Sequence, residues 1–283
     1  MKAIKFSVLM SVYKKEKPDY LAACLESLVN QTLLPDEMLI LCDGPLTEEL
    51  EEVLHTYKDK YSDLVNIVPF SENRGLGYTL ADGVELAKYD LIARMDTDDI
   101  AVSNRFAKQV DYMSQHPEVD ILGSNIFEFS DSVDHVTASR IVPETHDAIY
   151  QFAKRRNPFN HMTVMYRREA VLAAGNYQPL KGYEDYYLWV RMLANDAQAA
   201  NLPDKLVYAR ADEEMYKRRG GWSYFKSGMA AYNKIYQVGL ANPVDYIVRV
   251  TGQFIFNLTP IKLRTFLYKK VLRKDDEVRT GEG

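Results

Sequence analysis

The sequence predicts an α/β fold, with a mostly parallel central sheet, helices on both faces and a helical C-terminal extension. Three observations predict it. Short apolar runs alternate with helical stripes from Phe6 to Met95. Within those runs polar and apolar residues do not alternate, which is the pattern of strands covered on both sides. After about Arg210 the composition shifts to basic and aromatic residues with helix-length stretches.

The elements follow in order. Phe6 to Val12 reads as a short buried strand. Tyr20 to Gln31 carries Leu21, Cys24, Leu25 and Leu28 at helical spacing, and Pro35 ends it. Glu37 to Cys42 is a second buried strand, stopped by Asp43-Gly44-Pro45. Thr47 caps a helix running to about Tyr61. Val65 to Phe70 is a third strand, and Pro69 assigns it to an edge or a strand end. Gly77 to Lys88 is helical, and Tyr89 to Met95 is a fourth strand that runs into Asp96-Thr97-Asp98-Asp99. Beyond it, Arg105 to His116 is a helix and Val119 to Phe129 is strand material. Asn157 to Arg168 is polar and then strand-like. Glu184 to Asn195 is a helix with acids in its first turn, where they complement the dipole. Trp222 to Gln237 is a helix ended by Gly239. This divides the chain into a catalytic unit over 1–212, with halves 1–100 and 101–212, and an extension over 213–283.

The 283 residues are 47% hydrophobic and 27% charged, with a net charge of −5. That is enough chain to bury a core without disulfide or metal staples. Cys24 and Cys42 are too few for a cysteine framework and sit in apolar stretches, so both read as packing residues. The acidic balance argues against a nucleic-acid partner. No small-residue cleavage site follows the first apolar run, and no stretch of about 18 uncharged apolar residues exists. The expectation is a cytoplasmic protein.

In parallel sheets ligands bind beyond the carboxyl ends of the strands. Tyr13, Asp43, Asn73-Arg74-Gly75 and Asp96 to Asp99 all fall there. The Asp96-x-Asp98-Asp99 cluster gathers carboxylates that repel unless a cation neutralises them. Hard oxygen ligands suit Mg²⁺ or Mn²⁺, with positions left for substrate phosphates. Glu184 and Asp185 stand beside Tyr186, Tyr187 and Trp189, a partly desolvated setting that suits a general base. Asp43 suits a base or ribose donor, while Gly44 allows close backbone approach. Arg218 and Arg219, before Gly220-Gly221, have forks that match a diphosphate. His161 is a candidate for lining an acceptor pocket. Each has a plain alternative: a solvated acidic turn, a helix-dipole acid, a simple turn, a basic loop, a structural histidine.

Together these segments resemble the family-2 glycosyltransferases, GT-A-fold enzymes of bacterial capsule, exopolysaccharide and lipopolysaccharide assembly, and most of all the amylovoran-type sugar transferases. The resemblance covers about residues 5 to 210. Phe6 to Tyr13 is similar to the family's V-S-V-I-I-P-V-Y-N strand, with Ser11 where Pro is usual and Lys14 where Asn is usual. Ser27 to Thr32 looks like its S-x-x-x-Q-T helix end, and Leu39 to Gly44 like its I-V-D-D-G strand, with Cys42 replacing the first Asp. Asn73-Arg74-Gly75 matches N-x-G, Asp96 to Asp99 matches D-A-D-D, and Glu184 to Trp189 matches E-D-x-x-L-W.

The resemblance implies an inverting transfer from a nucleoside-diphosphate sugar, by default a UDP-sugar, to a saccharide or lipid-linked saccharide. Val12, Tyr13 and Asp43 would hold uracil and ribose, with Arg74 near the base. Asp96 would face the ribose or the metal, Asp98 would coordinate Mn²⁺ or Mg²⁺, and Asp99 would support them. Asp185 would be the general base. A non-catalytic nucleotide-sugar-binding scaffold is the alternative, but it has no use for Glu184-Asp185. A nucleotidyltransferase would have a glycine-rich loop where Tyr13-Lys14-Lys15-Glu16 stands. A haloacid-dehalogenase-type phosphatase would have Asp on the first strand. From 243 to 274, seven basic residues face one acid, Asp245, and are interleaved with aromatics. That suits peripheral contact with the inner face of the cell membrane.

Overall fold

The computed structural model describes residues 4–211 and 221–258. Strands β1 (Phe6–Val12), β2 (Glu37–Cys42), β3 (Val65–Pro69) and β4 (Leu91–Arg94) lie parallel in the order β3-β2-β1-β4. Helices α1 (Pro18–Val29), α2 (Glu48–Lys60) and α3 (Leu76–Leu86) connect them. β2 is buried at every residue, and β1 at every residue except half-buried Ser11. Both faces are therefore covered. Val8, Met10 and Val12 meet Leu21, Leu25 and Leu28 of α1 and Leu50 of α2. Leu9, Leu39 and Leu41 point the other way, onto Leu80 and Val84 of α3. The strand period of two thus assigns one core to each face. Each fully buried aliphatic side chain contributes about 1.5–3 kcal/mol.

The helix ends follow their local chemistry. Pro18 opens α1, where its missing N–H costs nothing. The Thr47 hydroxyl accepts from the Leu50 amide, with Glu48, Glu49 and Glu51 in the first turn of α2 and Lys58 and Lys60 in its last. β3 takes the edge of the sheet, as Pro69 required.

Beyond β4 the sheet is mixed rather than parallel. β5 (Ile100–Ala101), β6 (Ile121–Phe129), β7 (Val136–Arg140), β8 (Met165–Arg167) and β9 (Ala199–Arg210) complete it. β8 runs antiparallel to both β4 and β6. β9 is parallel to β6 and antiparallel to β5. β9 was not anticipated. Pro203-Asp204-Lys205 interrupts its apolar pattern, and the register against β6 shifts at that point, around Ser124 to Ile126.

The remaining helices are α4 (Arg105–Gln115), α5 (His146–Ala153), α6 (Arg168–Ala173), α7 (Glu184–Ala194), α8 (Gly221–Gln237) and α9 (Pro243–Leu258). Ala231, Tyr232 and Ile235 of α8 share a core with Tyr183, Tyr186 and Trp189. The described part of the extension therefore packs on residues of the 101–212 half. The boundary set at 212/213 lies outside the described residues, as do Arg218 and the basic residues from Lys262 to Lys274. Among the described residues no helix is long and apolar enough to cross a membrane.

Candidate active site

The carboxyl ends of β1, β2 and β4 enclose a cavity of about 330 Å³. Its wall includes Tyr13, Glu16, Asp43, Gly75, Arg94, Asp96 and Asp98. Val12 ends β1. Its side chain is fully buried in the core, because alternation along β1 turns it away from the cavity. Only its backbone takes part, and its carbonyl accepts from the Asp43 amide at 2.8 Å.

Asp43 follows β2 and fastens the next loop. Its carboxylate accepts from the backbone amides of Arg74 at 2.8 Å and Gly75 at 3.0 Å. The Asn73 side chain donates to the Asp43 carbonyl at 3.0 Å. Gly44 has φ +85°, and a Cβ there would stand 2.6 Å from the Asn73 nitrogen, so this crossing of two backbones needs glycine. The Arg74 guanidinium pairs with Asp82 and lies 4.6 Å from the centre of the Phe70 ring. It is held at the rim and is not part of the cavity wall.

The end of β4 gathers the carboxylates. Asp96 is partly exposed and pairs with the guanidinium of Arg94, which is 1% exposed. Arg94 Nε and Nη1 have no acceptor among the described residues. Asp99 is buried, and its Oδ1 accepts from the Arg210 amide at 2.8 Å. Arg210 also donates from Nε to the Asp98 carbonyl at 3.2 Å and lies 3.6 Å from the Tyr20 ring centre. Burial raises the Asp98 carboxyl, and neighbouring Asp96 raises it further. Burial, then Asp98 and Asp96, lift Asp99 well above its usual range. Glu16, from the loop after β1, is pushed up to about 7 by burial and by Asp98 and Asp96.

Such mutual repulsion is the electrostatic condition that a bound divalent cation relieves. The donor set fits Mn²⁺ or Mg²⁺ as a partial site, because Asp98 and Asp96 border the cavity and leave positions for phosphate oxygens. Asp99 sits behind them as support. Among the described residues no group of three or more His, Cys, Asp or Glu side chains is placed to hold a metal ion by itself.

Glu184 and Asp185 open α7 and are not among the residues that line this cavity. Asp185 Oδ2 accepts from the Asn157 side-chain amide at 2.6 Å. Glu184 is raised by burial, while backbone amides at Gly182, Tyr183 and Glu184 oppose that shift by bonding its carboxylate. Its Cγ lies against Gly77 of α3, where an added Cβ would come within 3.1 Å. Glu184 thus contacts α3 and the backbone at the start of α7, while Asp185 is bonded by Asn157. His161 Nε2 is 3.0 Å from the Tyr177 hydroxyl, and its ring packs beside Tyr177 and Trp189. Burial and then Arg94 push its pKa down to about 4, against opposing influences from Asp185 and Asp96. It is neutral at pH 7 and is not in the cavity wall.

Four contributors escaped the sequence reading. Glu16 and Asn157 lay in stretches that were read for other residues. Arg94 had a visible signal, a charge inside an apolar strand. Arg210 had none, because β9 was not anticipated.

The sequence profile of glycosyl transferase family 2 matches residues 7–174. The chain belongs to this family. It is 41% identical over 273 residues to the amylovoran biosynthesis glycosyltransferase AmsE of Erwinia amylovora, covering 94% of this chain and 98% of that one. It is 35% identical over 272 residues to the UDP-Gal:α-D-GlcNAc-diphosphoundecaprenol β-1,3-galactosyltransferase of Escherichia coli, covering 95% and 97%. Among solved structures, S. aureus TarS 1–349 in complex with UDP-GlcNAc matches with a TM-score of 0.66 at 19% identity, over 94% of this chain and 75% of that one. The fold of this family-2 glycosyltransferase is GT-A.

Proposed function

We propose that the protein is an inverting, metal-dependent glycosyltransferase. It moves a sugar from a UDP-sugar to a hydroxyl of a saccharide or lipid-linked saccharide. The product belongs to a bacterial surface polysaccharide such as a capsule, assembled at the inner face of the cell membrane. The observation that carries this reading is one oriented carboxylate on α7, Asp185, set apart from the crowded carboxylates at the end of β4. Two relatives support it by name, one in amylovoran biosynthesis and one taking a diphosphoundecaprenol-linked acceptor.

Asp43 and the Asn73–Gly75 loop hold the nucleoside side of the donor. Asp98, with Asp96, holds Mn²⁺ or Mg²⁺. When bound, the ion acts as a Lewis acid for charge developing on the leaving diphosphate. Asp185 accepts the proton of the acceptor hydroxyl. That oxygen attacks the anomeric carbon from the face opposite the diphosphate. The bond to the diphosphate breaks, nucleoside diphosphate leaves, and the configuration inverts. Asn157 fixes the carboxylate for this step.

The test is a donor screen. Purified protein with Mn²⁺ is mixed with UDP-, dTDP- and GDP-sugars, and nucleoside diphosphate release and melting temperature are followed. The expected result is slow release from one UDP-sugar, abolished by chelator. Absence of binding to every donor sinks the reading. Binding without release, even with diphosphoundecaprenol-linked saccharides present, favours the scaffold alternative.

A further inference from the structure

Helix α9 is turned inside out. Asp245, Arg249 and Gln253 follow at spacings of four and share one face. That face meets the protein. Asp245 is 4% exposed and accepts from Arg155 Nε at 2.7 Å. The Arg249 guanidinium lies 4.4 Å from the Tyr232 ring centre, and Gln253 accepts from the Tyr232 hydroxyl at 3.3 Å. The opposite face carries Val244, Ile247 and Val248, exposed by 62%, 61% and 47%, with Thr251 exposed one turn on. A surface helix of a water-soluble protein buries its apolar stripe and exposes its charges. Single exposed aliphatics mean little, but a contiguous stripe marks an interaction surface.

We propose that the Val244–Ile247–Val248 face of α9 docks into the surface of an anionic lipid bilayer. Charge selects this occupant. The sequence that follows α9 carries Lys262, Arg264, Lys269, Lys270, Arg273 and Lys274, with no acid before Asp275. Six like charges within the sixteen residues that follow α9 in the sequence oppose pairing with a second copy of the chain. They favour a surface of negative headgroups over an acyl layer. The inward face of α9 also points to a purpose. Arg155, which holds Asp245, is two residues from Asn157, which holds Asp185. Tyr232, which bonds Gln253, packs its ring 5.4 Å from that of Tyr183, the residue before α7. Docking through α9 brings the bilayer to the side of the molecule where the base stands. That consequence for a lipid-linked acceptor rests on the reaction proposed above. The docking itself does not.

The test is flotation of the full-length protein with vesicles of phosphatidylcholine alone and of phosphatidylcholine mixed with phosphatidylglycerol. The variants are the double substitution Ile247→Glu, Val248→Glu and, as a control, Leu172→Glu at an exposed leucine on α6. The wild type and the control are expected to float with the phosphatidylglycerol vesicles. The double variant is expected to lose binding by about tenfold or more, as removal of two inserted aliphatic chains requires. Its melting temperature is expected to be unchanged, because neither side chain is buried. Equal binding by wild type and double variant overturns the proposal. So does failure of the wild type to float, or a dimer in light scattering that only the double variant abolishes. Donor turnover with a water-soluble acceptor is read on the same samples. Vesicle binding without turnover removes the reaction and keeps the docking, and turnover without vesicle binding does the reverse.

Discussion

The two halves of the sheet build their parts of the site by different means. In the parallel half, each group follows the end of a strand: Asp43 after β2, and Asp96 and Asp98 after β4. Asp43 bonds the loop after the neighbouring strand β3, and Asp96 pairs with Arg94 of β4 itself, so these contacts follow from strand order. In the mixed half, Asp185 stands at the start of a helix and is held by Asn157, 28 residues earlier in the chain. Arg210, at the end of β9, reaches back 112 residues to the Asp98 carbonyl. In the reading proposed above, the parallel half holds the donor. The mixed half depends on long-range contacts, and there a small change in loop position would re-aim Asp185. Breaking each half should therefore produce a different kinetic signature.

The largest effect is expected at Asp185. Replacing it with Asn keeps the shape and removes the proton acceptor. Turnover should fall by about 10²–10⁴-fold, the usual contribution of a general base. Calorimetry should find donor affinity unchanged. Near wild-type turnover would remove Asp185 from its role. On the other side of the site, Asp98→Ala should weaken donor binding measured with Mn²⁺ by about 10²-fold, since even outer partners of a metal site cost 10–100-fold when lost. Binding measured in chelator should not change. Equal loss under both conditions would mean that Asp98 acts on the fold and not on the ion.

Asn157→Ala sharpens the contrast. Asp185 keeps its charge but loses its positioning hydrogen bond. A bond to a charged group is worth about 1.5–3 kcal/mol, so a fall of about 10- to 100-fold in kcat is expected. KM for the donor should hold, because no donor-side contact is touched. A change confined to donor KM would show that Asn157 belongs to the cradle. Asn157→Asp, which places a second carboxylate beside Asp185, should not rescue, whereas Asn157→Gln should rescue in part if reach permits.

The same division decides what could be read from the sequence. β1 and β2 were legible because covered strands need unbroken apolar runs, and β3 because proline at a sheet position points to an edge. Asp43, Asp96 and Asp98 were legible because each punctuates a buried strand. The mixed half gave weaker signals. β8 has three residues, too few for any periodicity, and β9 is broken by Pro203-Asp204-Lys205. The contributions of Arg94 and Arg210 come from what lies next to them after the sheet has formed. The inward direction of the Val12 side chain was not legible, because a motif fixes the residue type and leaves that direction open. His161 bonds Tyr177 and packs beside Trp189, contacts that its sequence position does not reveal.

The smallest expected effect concerns protons in the absence of ligand. Glu16 titrates near 7 when folded and near 4.5 when unfolded, so between those values the folded state holds the extra proton. Stability from this group is complete below about pH 4.5 and is lost as pH rises through about 7. His161 works in the opposite direction. Its folded value near 4 lies below the unfolded 6.5, so its contribution is present above about pH 6.5 and lost as pH falls towards 4. Between about 4.5 and 6.5 His161 offsets only one of the raised carboxyls, because Asp98, raised to about 6, and Asp99, raised beside it, also lose their contribution as pH rises. The melting temperature of the ligand-free protein should therefore fall as pH rises from about 4.5 to 7. Glu16→Gln should reduce that fall. Mn²⁺ with UDP should stabilise the protein more at the upper end, because the ion replaces the protons the carboxylates otherwise retain. A melting temperature that rises over that interval in the ligand-free protein would mean that the carboxylates after β4 are already neutralised by the protein itself, through Arg94 and Arg210, and that the cradle does not need an ion to hold its charge.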